Sequence, residues 1–396
     1  MDKKNKNPNV PNLRFPGFYN EWEKICIESL ITEEKIYTSD FEKYPLYSFT
    51  IELGIIPKTE RYERGFLIKK DGNLFKVVQQ NDFVMNPMNL RFGAINYSKV
   101  SKSISVSGYY NIFRMDNCKF NDFWNAYFKT PKLLNLYNSI ATGSLVEKKR
   151  VHFSQFKKIK MYMPCELEKQ KIDTLIKLLD LRIETQSKII SDYKLLKNNI
   201  IKKVFHNCSE YDSLESLIKF GKAGGTPKST VKEFYDGNIP FLGISDITNQ
   251  GKYICHTMKN ITQKGLNNSS AWIVPQNSLI LSMYASVGLP AINKIPLATS
   301  QAMMSMVFYD PQDVEYVYYY LCYFKKYRIH SLLETGTQSN INASTVKSIK
   351  IPKLKATEKE KYINLFTKFD QLIDREKQIL SFYQKQKSFL LKNMFV

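Results

Sequence analysis

The chain repeats itself. Residues Ser154–Phe205 align without a gap to Ser344–Phe395. Identical pairs include Ser154/Ser344, Lys157/Lys347, Ile159/Ile349, Lys160/Lys350, Glu168/Glu358, Lys169/Lys359, Lys171/Lys361 and Leu175/Leu365. They continue with Asp180/Asp370, Ile189/Ile379, Ser191/Ser381, Tyr193/Tyr383, Lys197/Lys387, Lys202/Lys392 and Phe205/Phe395. A Thr-Gly precedes each copy, at Thr142-Gly143 and Thr335-Gly336, and Ile27-Glu-Ser-Leu30 is matched by Leu214-Glu-Ser-Leu217. Self-similarity at this scale restricts the fold to two copies of one structural unit.

Each copy ends in a segment of helical period. In the first, Ile172, Leu175, Leu179, Ile183, Ile190, Tyr193, Leu196, Ile200 and Val204 recur at three- and four-residue steps; Tyr362, Leu365, Phe369, Ile373, Leu380, Tyr383, Leu390 and Met394 do so in the second. Neither segment contains Gly or Pro. Such spacing predicts a long helix with a coiled-coil seam. Roughly 40 residues at 1.5 Å each give a helix of about 60 Å. Thr357 and Glu360 read as a T-x-x-E capping box at the second helix start. A lone helix of this length would expose its stripe, so the two are expected to pack antiparallel, with Leu179, Ile183, Gln186 and Ile190 of one and Phe369, Ile373, Glu376 and Leu380 of the other in the seam. Gln186 and Glu376 interrupt the stripe at equivalent places. Either they meet across the seam and set its register, or both point to water.

The remaining sequence predicts an α+β fold of two globules, each followed by a helix. The boundaries read as a polar tail at 1–16, a first globule at 17–160, a helix at 161–206, a second globule at 207–352 and a second helix at 353–396. Within the globules, Phe75–Val78 and Phe83–Met85 flank a turn at Gln79–Asp82, and Ala271–Val274 and Ser278–Ser282 flank Pro275-Gln-Asn277. Gly224-Gly-Thr-Pro227 marks a loop.

Charge narrows the partners. The 58 Lys and Arg outnumber 37 Asp and Glu, a net charge of +21. That field attracts a polyanion, nucleic acid first and an anionic membrane second, although an AT-rich genome also enriches Lys. No apolar run approaches the roughly 20 residues a membrane span needs. The 6 cysteines are scattered without a C-x-x-C pair, and the first residues lack an apolar stretch, so a reduced cytoplasm is the expected compartment.

Catalytic motifs are missing. Gly221-Lys-Ala-Gly-Gly-Thr-Pro-Lys228 has the wrong spacing for a phosphate loop, and no dinucleotide fingerprint follows a strand. His152, His206, His256 and His330 lie far apart in sequence, in no metal-binding pattern. Asn86-Pro-Met-Asn89 only superficially resembles the tetrapeptide of amino-methyltransferases. A binding protein is the better reading, with no metal and no catalytic residue of its own.

The duplicated globule-plus-helix plan on a basic chain resembles the specificity subunit of type I restriction–modification systems. Leu13-Arg-Phe-Pro-Gly-Phe18 with Trp22 is similar to that family's opening. Gly224-Gly-Thr-Pro227, Asn238-Ile-Pro-Phe241 and Ser245-Asp-Ile247 resemble the start of one recognition-domain type; Pro45-Leu-Tyr-Ser48 and Val84-Met-Asn-Pro-Met88 through Gly93 resemble another. Glu168-Lys-Gln-Lys-Ile172 and Glu358-Lys-Glu-Lys-Tyr362 stand where the family's helices open, the second departing at Glu360 and Tyr362.

The resemblance implies a DNA-reading subunit whose two target-recognition domains each read one half of a split, asymmetric site. The helices would serve as spacer and as docking surface for two methyltransferase subunits, joined by motor-nuclease restriction subunits. S-adenosylmethionine, ATP and Mg would belong to those partners, with no cofactor in this chain. Candidate double-stranded DNA contacts are Arg61, Arg64, Asn86, Asn89 and Arg91 in the first domain. In the second they are Lys228, Ser245, Tyr284, Ser286, Gln338 and Asn340. Two rivals stand beside this reading: a basic coiled-coil scaffold or adaptor without sequence-specific readout, and a single-chain nuclease or methyltransferase.

Overall fold

The computed structural model describes residues 9–51, 54–58, 75–144, 149–206, 208–284, 286–331 and 340–396. It has the expected α+β composition. The chain forms two compact units, Met1–Ser187 with Gln378–Val396, and Lys188–Lys377. The two long helices, Glu166–His206 and Ala356–Asn393, are therefore each shared between units. The second helix starts at Ala356, so Thr357 lies inside its first turn and does not cap it. The Lys355 carbonyl accepts instead from the Glu358 and Lys359 amides, both at 2.9 Å.

In each unit the two helix halves run antiparallel. In the first, Asp180 pairs with Lys387, and Arg182 lies 5.4 Å from the Tyr383 ring centre. In the second, Lys197 pairs with Asp370, and Phe205 contacts Phe366 with ring centres 6.4 Å apart. Rising numbers on one helix meet falling numbers on the other in both cases. The ion pairs are equivalents under the duplication, Asp180 matching Asp370 and Lys387 matching Lys197. Of the seam candidates, Leu179, Gln186, Ile190 and Ile373 are buried and Ile183, Phe369, Glu376 and Leu380 half-buried. Gln186, 7% exposed, does not point to water.

The globular part of the first unit is built on an antiparallel sheet in the order Ile31–Glu34, Asn111–Met115, Phe83–Met85, Ile95–Tyr97. In the second unit the order is Ile218–Ala223, Met303–Phe308, Leu279–Ser282, Pro290–Asn293, with Tyr253–Ile254 added in parallel at the edge. The first four strands follow one plan in both units. Each sheet is entered through an outer strand pair, Glu23–Cys26 with Lys160–Met163 and Tyr211–Ser213 with Lys350–Pro352. A single helical turn made by the matched Ile/Leu-Glu-Ser-Leu follows. Its first amide donates to Ile159 O at 2.9 Å in one unit and to Ile349 O at 2.8 Å in the other.

The central strands are buried on both faces, and their alternation sorts side chains between two cores. Phe83 and Met85 face the helices while Val84 faces the other way, into a cluster with Phe49, Val78 and Ile104. Leu279 and Leu281 likewise face the helix side, and Ile280 joins Leu242, Ile254 and Val274. Phe75–Val78 and Phe83–Met85 do flank a turn, but they enter separate sheets: Phe75–Val78 pairs with Tyr37–Thr38 and Ile104–Ser107. Ala271–Val274 forms no strand, and only Val274 bridges, to Leu297.

Both cores are closed by the helices. Phe395, at the chain's carboxyl end, packs into the first core with ring centres 4.9 Å from Tyr127, 5.4 Å from Phe123 and 6.4 Å from Trp22. Its equivalent Phe205 packs into the second core 5.2 Å from Tyr320 and 5.7 Å from Tyr316. Trp22 also explains the opening motif. Its indole donates at 3.1 Å to Glu168, a buried carboxylate held by Arg14 through Nε at 2.6 Å and Nη2 at 2.7 Å. Glu358, the equivalent of Glu168, is exposed.

Candidate nucleic-acid interface

Most of the DNA-contact candidates lie on loops at strand ends. In the first unit, Asn86, Asn89 and Arg91 occupy the loop leaving Phe83–Met85. Asn86 shapes it, its side-chain oxygen accepting from the Met88 amide at 3.1 Å and its carbonyl from the Asn89 amide at 3.2 Å. Asn89 precedes the turn Leu90–Phe92, which ends at Gly93 with φ +86°. Arg91 lies 4.7 Å from the ring centre of exposed Phe92. Arg61 and Arg64 fall outside the described residues.

In the second unit the corresponding loop leaves Leu279–Ser282 and carries Tyr284 and Ser286, both exposed. Ser286 has φ +57°, and its carbonyl accepts from the Ser282 hydroxyl at 2.7 Å, which holds the loop back on its own strand. The Met283 amide donates to Ala302 O at 2.8 Å, and the Ile341 amide to Met283 O at 3.1 Å. This brings the segment containing half-buried Asn340 beside the loop. Gln338 falls outside the described residues.

Lys228 joins the same edge through two glycines. A side chain at Gly224 would meet Thr299 O at 2.0 Å, and one at Gly225 the Ala271 amide at 2.4 Å, so only Gly lets this backbone lie against Thr299. The loop continues into Thr226, which hydrogen-bonds Gln301, and then to exposed Lys228. Tyr235–Leu242 runs parallel to Ala298–Thr299, with Leu242 opposite Thr299. Both chains therefore leave the sheet at one end, towards Ser245 and Gln301 respectively. Lys228, Tyr284, Ser286 and Asn340 thus sit on loops that converge around Ser300–Ala302, and Ser245 lies in the first turn of the helix Ile244–Gln250 that follows Leu242.

The two interfaces are built alike. Val151 donates its amide to Pro87 O at 2.9 Å, just as its equivalent Ile341 donates to Met283 O. In both units, then, the residues just before the repeat dock on the loop leaving the same central strand. In the first unit this placement brings in Arg150 and Tyr109, which sequence reading passed over, and His152, which it read only as one of four scattered histidines; in the second it brings in Gln301. The signal for Arg150 was present as the basic run Lys148-Lys149-Arg150 after Thr142-Gly143. With Met88 and Thr142 these residues line a groove of about 500 Å³.

The second domain is also tied to the helices. Lys252 pairs with Glu315 at 2.5 Å and donates to the Tyr319 hydroxyl at 2.7 Å, and that hydroxyl donates to Asp370 at 2.7 Å. Desolvation pulls the Lys252 ammonium below its ordinary range, while Glu315 and Asp370 oppose the shift. Among the described residues no group of three His, Cys, Asp or Glu could hold a metal ion, and no helix is long and apolar enough to cross a membrane.

Residues 209–381 match the family of type I restriction modification DNA specificity domains. Over 178 residues, 44% of this chain and 40% of the relative, the sequence is 31% identical to the type I restriction enzyme MjaIX specificity subunit of Methanocaldococcus jannaschii. Over 185 residues, 46% of this chain and 37% of the relative, it is 31% identical to the HindI specificity subunit of Haemophilus influenzae. The matches thus span well under two thirds of either relative. In fold, the crystal structure of the type I system S subunit from M. genitalium covers 98% of this chain and 99% of its own, with a TM-score of 0.59 and 15% identity. A chain from a structural study of type I R-M complex assembly and conformational transition covers 96% of this chain and 98% of its own, with a TM-score of 0.58 and 13% identity. The resemblance read from the residues is borne out: residues 209–381 match the type I DNA specificity domain, and nearly the whole chain is similar in fold to a solved type I specificity subunit.

Proposed function

We propose that this chain is the DNA-reading subunit of a type I restriction–modification complex, with recognition domains at 17–160 and 207–352, each reading one half of a split, asymmetric site. The observation that carries the reading is the pair of equivalent loops. One backbone plan presents Asn86, Asn89 and Arg91 in one unit, and Tyr284 and Ser286 in the other. Different side chains on one frame are what two different half-sites require.

The chain has no catalytic role in this reading. Adenine methylation with S-adenosylmethionine falls to two methyltransferase subunits, and ATP- and Mg-dependent motor-nuclease work to restriction subunits. The helices offer those partners apolar surface, with Leu178, Leu181, Phe382 and Phe389 exposed. The test is to combine the chain with its methyltransferase partner on random-sequence DNA and sequence the modified adenines. A split motif that needs both proteins is expected. The same motif from the partner alone would make this chain a dispensable scaffold.

A further inference from the structure

We propose that Arg150 holds a DNA backbone phosphate in the first recognition domain, and that Asn340 is its uncharged counterpart in the second. The inference rests on the DNA-reading role proposed above. The two residues are equivalent by construction, each immediately preceding the residue, Val151 or Ile341, whose amide anchors the segment to the loop leaving the central strand.

Arg150 is held like a binding residue. Its amide and carbonyl both bond Thr142 across a two-residue bridge, each at 2.9 Å, so the backbone position is set before any ligand arrives. The side chain is exposed and makes no ion pair or hydrogen bond among the described residues. Acidic partners engage other exposed cations of this chain, as Glu233 engages Lys264. The groove around Arg150 adds the exposed Tyr109 ring and His152, with Met88 at its wall. A fixed backbone, a guanidinium with no partner among the described residues, and neighbouring polar and aromatic groups suit a phosphate at the edge of a duplex, which guanidinium binds through paired N–H donors.

The duplication supplies a gain-of-function test beside the loss. The duplex should carry the motif methylated by the wild-type complex, and affinity should be measured at about 50 and about 200 mM salt. Losing one phosphate contact lowers the log–log salt slope by about 0.9, so the ratio of the two affinities should shrink about 3.5-fold in Arg150→Ala. The methylated motif should stay unchanged. Asn340→Arg should steepen the slope by a similar amount. Arg150 is exposed and Asn340 half-buried, so each variant is also melted, and unchanged melting would show that the fold is intact. An Arg150→Ala complex with wild-type affinity at both salt concentrations overturns the proposal. So does an altered motif with an unchanged slope, since Arg150 would then read a base. If the wild-type complex itself shows no salt-dependent duplex binding, it is the DNA-reading role that fails.

Discussion

Phe395→Ala and Phe205→Ala should destabilise different parts of the molecule, although the two residues are equivalents in the repeat. Phe205 is 1% exposed and Phe395 8%. Truncating a buried Phe costs about 3–5 kcal/mol through lost transfer energy and the cavity left behind. Phe205 lies in mid-chain among Tyr316, Tyr320, Tyr323 and Phe366, where relaxation is restricted, so its cost should be about 4–5 kcal/mol. Phe395 has three aromatic neighbours and keeps more exposure than Phe205, so about 3 kcal/mol is expected. Amide hydrogen exchange read peptide by peptide is the assay, because a two-unit chain has no single unfolding free energy. Phe395→Ala should cost protection at Phe83–Met85 and Asn111–Met115, and Phe205→Ala at Leu279–Ser282 and Met303–Phe308. If Phe395→Ala costs under about 1 kcal/mol, or loosens the second unit instead, the carboxyl end does not close the first core.

Three further outcomes follow from the packing. Glu168→Gln should cost about 3 kcal/mol by leaving Arg14 buried without its carboxylate, while exposed Glu358→Gln should stay within about 0.5 kcal/mol; equal melting shifts would refute the buried Arg14–Glu168 pair. Asp370→Asn should cost about 2–3 kcal/mol because Asp370 serves Lys197, Tyr319 and Lys252, against about 1 kcal/mol for Asp180→Asn; comparable losses in denaturant melts would refute the network. Desolvation, with Lys387 and Lys99 nearby and Asp180 opposing, pushes the Lys129 ammonium down to about 7. The folded state then binds fewer protons than the unfolded above that pH. Stability of the first unit should therefore rise from about pH 7 towards the ordinary lysine range, by up to about 1.4 kcal/mol per pH unit. Lys129→Met should abolish that component of the slope, and an unchanged slope would reject the assignment.

The sequence by itself determined the duplication, the two long helices and their tendency to pair, because these rest on local periodicity and on identities in register. It also singled out Asn86, Asn89, Arg91, Tyr284 and Ser286 as loop candidates, the first three beside Asn86-Pro87 and the last two after the apolar run Ser278–Ser282. Tertiary structure decided what those signals leave open. Phe75–Val78 and Phe83–Met85 look like a hairpin but join different sheets, since strand pairing depends on partners far along the chain. The shared strand order of the two units is invisible where their sequences diverge, because burial on both faces asks only for apolar residues. Glu168 and Glu358 are identical in sequence and opposite in burial, since only Glu168 meets Arg14 and Trp22. Arg150 became a candidate once one amide, that of Val151, placed it beside Pro87. A contact between loops about 60 residues apart is set by three-dimensional closure, and no local pattern encodes it.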